Sequence, residues 1–464
     1  MGERWVRPVF NREMIRKYDR PGPRYTSYPT APHFTESFDS EAYRRVIEET
    51  NLAPSPPPLS LYFHLPFCSS LCWFCGCNVF HTKDRSAGNG YVDAVLEEMD
   101  EALRLMKPGR KVVQLHWGGG TPTFMSVDTL RRFWSGIKER FEMDENAEIG
   151  VEIDPRETSA EHLEFFAEAG FNRLSMGIQD FDPRVQEAVH RIQPEELTMQ
   201  VFDECRKLGF ESLNVDLIYG LPHQRVETFK KTVDKIVEMA PDRIAVFNFA
   251  YLPEMLKHQR AIDAKALPSP DEKLSILEMT ADSLIDAGYV FVGMDHFARP
   301  EDELCEALRT RTLYRNFQGY TTKAGCDLYG FGVTSIGQVG ASYSQNSKNL
   351  TDYMKRVADN GFAVFRGVEL TKEDILRRDV INRLMCHFTV YKREIEEAHG
   401  VDFDETFADA LRNLVPMAGD GLVKLLPDRI DILPLGRLLV RNVAMAFDAY
   451  LPGAEGKGRF SRTV

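Results

Sequence analysis

Nowhere in the 464 residues is there a run of about 18 consecutive apolar side chains, the length a helix needs to cross a bilayer. Positive charge is also short: 57 Lys and Arg stand against 70 Asp and Glu, a net charge of −13 at pH 7. A chain of that sign does not hold nucleic acid by neutralising phosphates, which excludes bulk DNA or RNA binding. The eight cysteines are too sparse for a disulfide scaffold. No internal repeat of fixed period is present. The first twenty residues, MGERWVRPVFNREMIRKYDR, are charged throughout and lack the apolar core of a secretory signal, so a cytoplasmic protein without membrane insertion is expected. What remains is an ordinary globular composition, 43% hydrophobic and 27% charged, with 30 Phe, 16 Tyr and 4 Trp to fill cores. At roughly 100 to 200 residues per domain, the length predicts two to four domains or one large domain with extensions.

The middle of the chain alternates two periodicities. A short apolar run at 59–64 follows a proline-stiffened stretch and reads as a strand. Residues 91–106 carry Val92, Val95, Leu96, Met99 and Leu103 at helical spacing, and 112–117 reads as a buried strand ending at Gly118-Gly119-Gly120. Further helices are expected at 127–141, 160–169, 197–208, 226–239 and 271–287, and further strands at 148–153, 173–176, 212–218, 243–249 and 289–294. Gly170, Gly209 and Gly288 mark helix ends. Some six or seven βα units in succession argue for a parallel sheet covered by helices, either a barrel or an open sheet. Ligands of such sheets sit at the carboxyl ends of the strands, where Cys68 to Cys77, Gly118 to Thr121, Glu152, Gln179 and Asp216 fall.

From about residue 370 the pattern changes to helices at 374–386, 391–398 and 404–415, a hairpin within 421–433, and a helix over 437–450. This is the texture of a small winged-helix-like domain, and the acidic balance assigns it to packing or covering rather than to DNA. The first fifty residues lack clear periodicity, yet Arg24 to Thr30 (RYTSYPT) is aromatic and proline-stiffened, an odd composition for an idle tail.

Four of the cysteines, Cys68, Cys72, Cys75 and Cys77, lie within ten positions, and the first three are spaced CxxxCxxC. Thiolates select zinc or iron–sulfur. A zinc knuckle would need Cys77 as a fourth ligand in a closed tetrahedral site, and no second cysteine pair follows, since Cys205, Cys305, Cys326 and Cys386 are scattered. Three thiolates on a cubane cluster leave one iron open to a small molecule.

That spacing resembles the radical S-adenosylmethionine (radical SAM) superfamily. The longer run from Tyr62 to Asn78, Tyr-x-His-x-Pro-Phe-Cys-x-x-x-Cys-x-Phe-Cys-Gly-Cys-Asn, resembles more narrowly the oxygen-independent coproporphyrinogen III oxidases (dehydrogenases) of heme biosynthesis. So do RYTSYPT at 24–30, QLHWGGGTPT at 114–123, NRLSMGIQDF at 172–181, DLIYGLP at 216–222, GMDHFARP at 293–300 and NFQGYTT at 316–322. The resemblance implies an α/β fold: a partial (β/α) TIM-like barrel over 56–368, an N-terminal extension covering the active site over 1–55, and a mainly helical C-terminal domain over 369–464. It implies a [4Fe–4S] cluster on Cys68, Cys72 and Cys75, and two S-adenosylmethionine molecules per chain. Contacts to the first carry over to Tyr62, Gly119, Glu152 and Ile336, and to the second to Phe74, Gly120, Thr121, Gln179, Arg191, Asp216 and Ala250.

The implied reaction converts two propionate side chains of coproporphyrinogen III to vinyl groups through a 5′-deoxyadenosyl radical, with Cys77 and Tyr62 as catalytic positions and Cys77 outside the cluster's ligand set. The residue types suit these roles: glycines let backbone approach a cofactor, Glu152 and Asp216 accept hydrogen bonds from hydroxyl or amino groups, and Arg191 can clamp a carboxylate. Arg24, Arg299 and Lys323 are candidates to pair the substrate's carboxylates. The implied partners are a low-potential electron donor of flavodoxin or ferredoxin type and, for a monomer, no second subunit. Two rivals are a radical-SAM-like heme chaperone, whose relatives usually lack Cys75 to Asn78 and RYTSYPT, and a zinc-stabilised interaction protein.

Overall fold

The computed structural model describes residues 5–451 and 460–463. Residues 1–4, 452–459 and 464, at the ends of the expected N-terminal extension and C-terminal domain, lie outside it. The chain forms two compact units. The larger comprises residues 34–268 and 325–369; the other takes in the described parts of 1–33, 269–324 and 370–464. Compactness therefore groups 269–324, expected within the barrel, with the two chain ends.

The larger unit is built on strands β1 (Leu59–Leu65), β2 (Lys111–Gly119), β3 (Glu142–Ile153), β4 (Arg173–Gln179), β5 (Ser212–Tyr219) and β6 (Arg243–Asn248), each parallel to the next. Helices Ala87–Leu105, Val127–Arg140, Ala160–Ala169, Glu195–Lys207 and Val226–Met239 provide the returns, because a parallel neighbour can be reached only by a long crossover. Their ends follow local chemistry. Ser126 caps Val127–Arg140 by accepting from the Thr129 N–H, Ser159 and His162 form a capping box, and Gly170 stops Ala160–Ala169 at φ 89°. On the far side of β1, β7 (Asp327–Phe331) pairs in parallel, and β8 (Ile336–Val339), β9 (Ser342–Asn346) and β10 (Val364–Glu369) follow antiparallel. This is the TIM-like partial barrel with an added antiparallel margin.

The two faces of the parallel sheet differ. Leu61, Phe63, Leu115, Trp117, Val151, Leu174, Met176, Val215 and Leu217 are buried on one face; there Phe63 and Trp117 pack on Phe133, and Trp117 on Trp134 and Phe166, aromatics of the covering helices. The alternate positions Ser60, Tyr62, His64, Gln114, His116, Gly118, Glu152, Ser175, Asn214 and Asp216 are polar or glycine. Ser60 donates to Gln114 at 2.8 Å, Gln114 to Glu148 at 2.9 Å, and the Tyr62 and His116 rings stack. Parallel strands buried on both sides normally read as continuous apolar runs; this alternation marks a sheet whose inner face lines a polar site.

At the start of β7, Arg110 and Asp327 form an ion pair at 2.5 Å with side chains 4% and 5% exposed. Arg110 also donates to Pro57 O and Asn51 Oδ1, and Asp327 accepts from the Gly340 N–H. Asp327→Ala strands a buried guanidinium and is expected to cost about 3–5 kcal/mol, read as a lowered urea midpoint, with Arg110→Ala similarly destabilising.

The smaller unit contains helix Arg12–Tyr18, helix Pro270–Asp286, the antiparallel pair Val290–Gly293 and His296–Ala298, helix Glu303–Thr310, and the hairpin Tyr314–Asn316 with Gly319–Thr321. Its C-terminal part packs helices Lys372–His387, Lys392–His399 and Ala408–Gly419 around a sheet ordered Thr389–Tyr391, Arg429–Ile432, Val423–Leu425. The single helix expected over 437–450 is instead three short turns, Arg437–Leu439, Val440–Ala444 and Met445–Phe447. The N-terminal segment, read as lacking clear periodicity, contains a helix over Ser40–Asn51, capped by Asp39 and burying Ala42, Tyr43, Val46 and Ile47. Among the described residues no helix is long and apolar enough to cross a membrane.

Candidate active site

The cysteine loop leaves β1 at its carboxyl end and is tied down at several points. Residues Phe67–Cys68 pair in parallel with Phe80–His81, Thr121 N–H donates to Phe67 O at 2.9 Å, and Trp73 N–H donates to Val189 O at 2.9 Å. His258 donates from Nε2 to Cys75 O at 2.7 Å, and the Trp73 ring stacks on His190. Phe74 and Trp73 rest on an apolar cluster of Val185, Val189, Leu221, Phe249 and Ile262. The thiols therefore rest on a backbone fixed by strand, helix end and imidazole.

Cys68 Sγ lies 3.4 Å from Thr121 Oγ1. Cys72 Sγ is buried between two guanidinium groups, with Arg156 Nη2 at 3.3 Å and Arg191 Nη1 at 3.5 Å. Asp154 joins those cations, at 2.7 Å from Arg156 and 2.9 Å from Arg191. Burial alone would raise the Asp154 carboxyl, but Arg191 and Arg156 outweigh it and hold it down at about 2. Burial pushes the Cys68 thiol up to about 12, whereas a hydrogen bond from Cys77 holds Cys75 low. Among the described residues no three His, Cys, Asp or Glu side chains converge closely enough to hold a single metal ion; a cluster taking one thiolate per iron does not require that convergence. Three thiols on one anchored loop, facing cations that offset thiolate charge, fit an iron–sulfur cluster.

Of the expected cofactor residues, Tyr62, Gly119, Glu152 and Asp216 lie within reach of one another at the strand ends. Burial holds His64 neutral, its Nε2 donates to Asn78 O at 2.9 Å, and its Nδ1 therefore accepts from the Tyr62 hydroxyl at 3.0 Å. Glu152 receives His116 Nε2–H at 3.1 Å and the Gly119 N–H at 3.1 Å. Burial works against its charge, yet these donors win and keep Glu152 ionised below the usual carboxylate range. Its side chain nevertheless keeps 44% of its accessible surface, the state of a group lining a cavity. Asp216 receives Asn214 Nδ2–H at 2.8 Å and the Ser175 hydroxyl at 3.4 Å. Burial pushes its carboxyl up to about 7, and the charge of Glu152 adds to the rise.

The glycines are required where the backbones meet. A Cβ on Gly119, at φ 114°, would stand 2.5 Å from the His64 ring, and one on Gly120 2.6 Å from the Pro66 backbone. Gly119→Ala should therefore displace His64 and Glu152 together and lower S-adenosylmethionine affinity by roughly tenfold or more, measured by equilibrium dialysis against unchanged iron content.

Gln179 ends β4 at φ 71° with Oε1 buried and unpartnered. Arg191 differs from the expected carboxylate fork. Its Nη1 already meets Asp154 and its Nη2 donates to Gly177 O at 2.6 Å, leaving a buried Nε without a partner. Ile336 joins the group indirectly: its backbone covers Gly330, whose neighbour across the sheet is Tyr62. Ala250 follows β6 and accepts from Gln259 at 3.2 Å. The unpartnered Gln179 oxygen and Arg191 nitrogen, together with the glycine backbone, fit a polar amino-acid-bearing cofactor. His64, His116, Asn214, Asp154 and Arg156 were not singled out from the sequence. The first two stand inside quoted motifs, and the alternation of polar residues along β1 and β2 was their available signal. Arg24, Arg299 and Lys323 lie in the other unit.

Comparison with known proteins agrees with this geometry. The radical SAM superfamily model matches residues 62–236, and the HemN C-terminal domain model matches residues 370–439. The chain is 46% identical to the oxygen-independent coproporphyrinogen III oxidase of Salmonella typhimurium, over 97% of this chain and 98% of that one. It is 45% identical to that of Escherichia coli and 44% to that of Pseudomonas aeruginosa, each over 97% of this chain and 98% of the other. The solved structure of the E. coli coproporphyrinogen III oxidase, described as a radical SAM enzyme, superposes with a TM-score of 0.91 at 44% identity, covering 96% of this chain and 100% of that one.

Proposed function

The chain belongs to the oxygen-independent coproporphyrinogen III oxidase family of the radical SAM superfamily, and from that premise we propose that it oxidatively decarboxylates two propionate side chains of coproporphyrinogen III, giving protoporphyrinogen IX. The observation that carries the reading is the cysteine loop at the carboxyl end of β1, whose Cys77 lies within electrostatic reach of Glu152 at the end of β3, itself within reach of Asp216 on β5. Cys68, Cys72 and Cys75 hold a [4Fe–4S] cluster. Tyr62, Gly119, Glu152 and Ile336 contact one S-adenosylmethionine, and Phe74, Gly120, Thr121, Gln179, Arg191, Asp216 and Ala250 contact a second. When bound, the cluster and cofactor would supply a 5′-deoxyadenosyl radical able to take a hydrogen atom from a propionate side chain; loss of carbon dioxide to leave a vinyl group would also release one electron per propionate to an external one-electron acceptor.

The chain's own residues hold the reactants and set their charge. Glu152, kept ionised by His116 and Gly119, accepts from hydroxyl or amino groups. Tyr62, hydrogen-bonded to a neutral His64, stays protonated because burial raises its phenol well above its ordinary value. The Arg156 and Arg191 guanidinium groups offset negative charge on the loop. Cys77 acts in turnover without ligating iron. We further assign a cytoplasmic monomer served by a flavodoxin- or ferredoxin-type donor.

The test is anaerobic incubation with coproporphyrinogen III, S-adenosylmethionine and a low-potential reductant. Protoporphyrinogen IX and two carbon dioxides per substrate are expected, with oxygen inhibitory. Stoichiometric heme binding with no vinyl product would establish the chaperone reading instead.

A further inference from the structure

The charged group around Cys72 is built with more order than a diffuse counterion needs. Asp154, 6% exposed, caps the turn Pro155–Glu157 by accepting the Arg156 N–H at 3.0 Å. The same carboxylate takes the Arg156 guanidinium as a fork, Nε on Oδ1 at 3.0 Å and Nη2 on Oδ2 at 2.7 Å, and its Oδ2 also accepts from Arg191 Nη1 at 2.9 Å. The two nitrogens that share Asp154 Oδ2, Arg156 Nη2 and Arg191 Nη1, are the two that meet Cys72 Sγ. Arg191 is fixed further by Gly177 O. The Arg156 side chain, by contrast, has Asp154 and Cys72 as its only hydrogen-bond partners among the described residues.

This group reaches every thiol of the CxxxCxxC run. Cys75, held low first by Cys77, is lowered further by Arg191, and Cys68, raised first by burial, is raised further by Asp154. Burial works against the Arg156 charge, but Asp154 and Cys72 outweigh it and raise the guanidinium above its ordinary value. An iron–sulfur cluster that gains an electron gains negative charge. N–H donors on a ligand sulfur and nearby cations therefore favour its reduced form, and a nearby carboxylate favours the oxidised form. In a buried site these effects are weakly screened by salt or solvent. Arg156 and Asp154 thus act on one sulfur with opposite sign.

We propose that Arg156 and Asp154 set the reduction potential of the cluster, Arg156 raising it through its N–H···S bond and its charge, and Asp154 lowering it while orienting both arginines. The inference rests on the function proposed above, since it takes Cys68, Cys72 and Cys75 as the ligands. The step governed is the transfer of one electron from a low-potential protein donor, which is oxidised, to the cluster, which is reduced; no bond breaks and no proton moves. Arg156 and Asp154 are positioning residues, assigned neither to S-adenosylmethionine nor to the substrate. Two unopposed guanidinium groups would ease reduction but weaken the reduced cluster as an electron source. The shared carboxylate offsets one of the two positive charges and keeps the potential low.

The experiment is an anaerobic potentiometric titration of the cluster-loaded full-length protein, without S-adenosylmethionine, using dithionite and redox mediators and reading the reduced cluster by its electron paramagnetic resonance signal. Arg156→Gln should make reduction about tenfold less favourable, a potential lower by about 59 mV for one electron. Asp154→Asn, whose side-chain oxygen can still cap the turn, should shift the equilibrium by a similar factor the other way. Arg156→Lys, which keeps the charge and loses the fork, should fall between wild type and Arg156→Gln. Iron content should match wild type throughout. A role confined to fastening the loop predicts lost iron and no opposition of sign. Shifts in the same direction, shifts below about twofold, or loss of iron in both Arg156→Gln and Asp154→Asn would overturn the proposal; if only one of them loses iron, the sign in the other, with Arg156→Lys below wild type, decides. Opposite shifts in a protein that makes no protoporphyrinogen would uphold this assignment and reject the proposed reaction, and product formation with unaltered potentials would do the reverse. A wild-type protein that takes up no iron would reject both.

Discussion

Cys68→Ala, Cys72→Ala and Cys75→Ala proteins, reconstituted anaerobically with iron and sulfide, are expected to be colourless, to contain almost no iron, and to have no activity. The expectation follows from the way the loop is held. Each thiol sits on backbone fixed by a different anchor: the Phe67–Cys68 pairing for Cys68, the Trp73 N–H to Val189 O bond beside Cys72, and His258 on the Cys75 carbonyl. Removing one ligand cannot be compensated by sliding the loop. Cys205, Cys305 and Cys386 are buried in other elements and Cys326 lies far along the chain, so none of them is a local substitute.

Cys77 is the one thiol close enough to compete, since it hydrogen-bonds Cys75. Cys77→Ser is expected to retain the iron and the visible absorbance of the wild-type protein while losing turnover. Iron analysis and absorbance settle the matter. Loss of iron in Cys77→Ser, with iron retained in any one of the other three variants, would reassign the ligand set.

What could be read from the sequence was local in origin. The CxxxCxxC spacing, the strand preceding it and the glycine run that closes β2 are each contained within a few residues, and the strand and the glycine run recur in the structure at those places. The group around Cys72 was not legible. Asp154 and Arg156 follow β3 and Arg191 follows the helix Pro183–Ala188, and nothing in their neighbourhoods announces that the two arginines meet one sulfur and share one carboxylate. The same limit explains the units. Residues 269–324 continue the helix–strand rhythm of the barrel, so sequence pattern joins them to it, whereas packing joins them to the chain ends.

The polar inner face shows the opposite case. Ser60, Tyr62 and His64 alternate with Leu61, Phe63 and Leu65 in plain view. Read as a buried apolar run, β1 loses that alternation, which is the physical signature of a parallel sheet with one buried polar face. Helix Ser40–Asn51 was missed for a related reason. Its apolar residues Ala42, Tyr43, Val46 and Ile47 are few among charged neighbours, and the capping Asp39 is the stronger sign.

Two S-adenosylmethionines should bind per cluster-loaded chain in anaerobic equilibrium dialysis, falling to one in Asp216→Ala. Glu152 and Asp216 lie on separate strands, each with its own donors, His116 and Gly119 for one and Asn214 and Ser175 for the other. Each can hold a cationic or hydroxyl-bearing group, and their different titration separates them. Glu152 is ionised across the neutral range, whereas burial and the charge of Glu152 raise Asp216 to about 7. A ligand ammonium binds the carboxylate and not the acid. Affinity at the Asp216 position should therefore be full above pH 7 and fall as pH drops through it, by about tenfold per unit below the transition. Affinity at the Glu152 position should stay flat over the same range. Asp216→Asn should remove the pH dependence with little change in fold, because the amide keeps the size of the side chain and one acceptor for Asn214. A stoichiometry of one at every pH, unaltered in Asp216→Ala and in Arg191→Ala, would reduce the site to a single cofactor and leave Asp216 to the substrate.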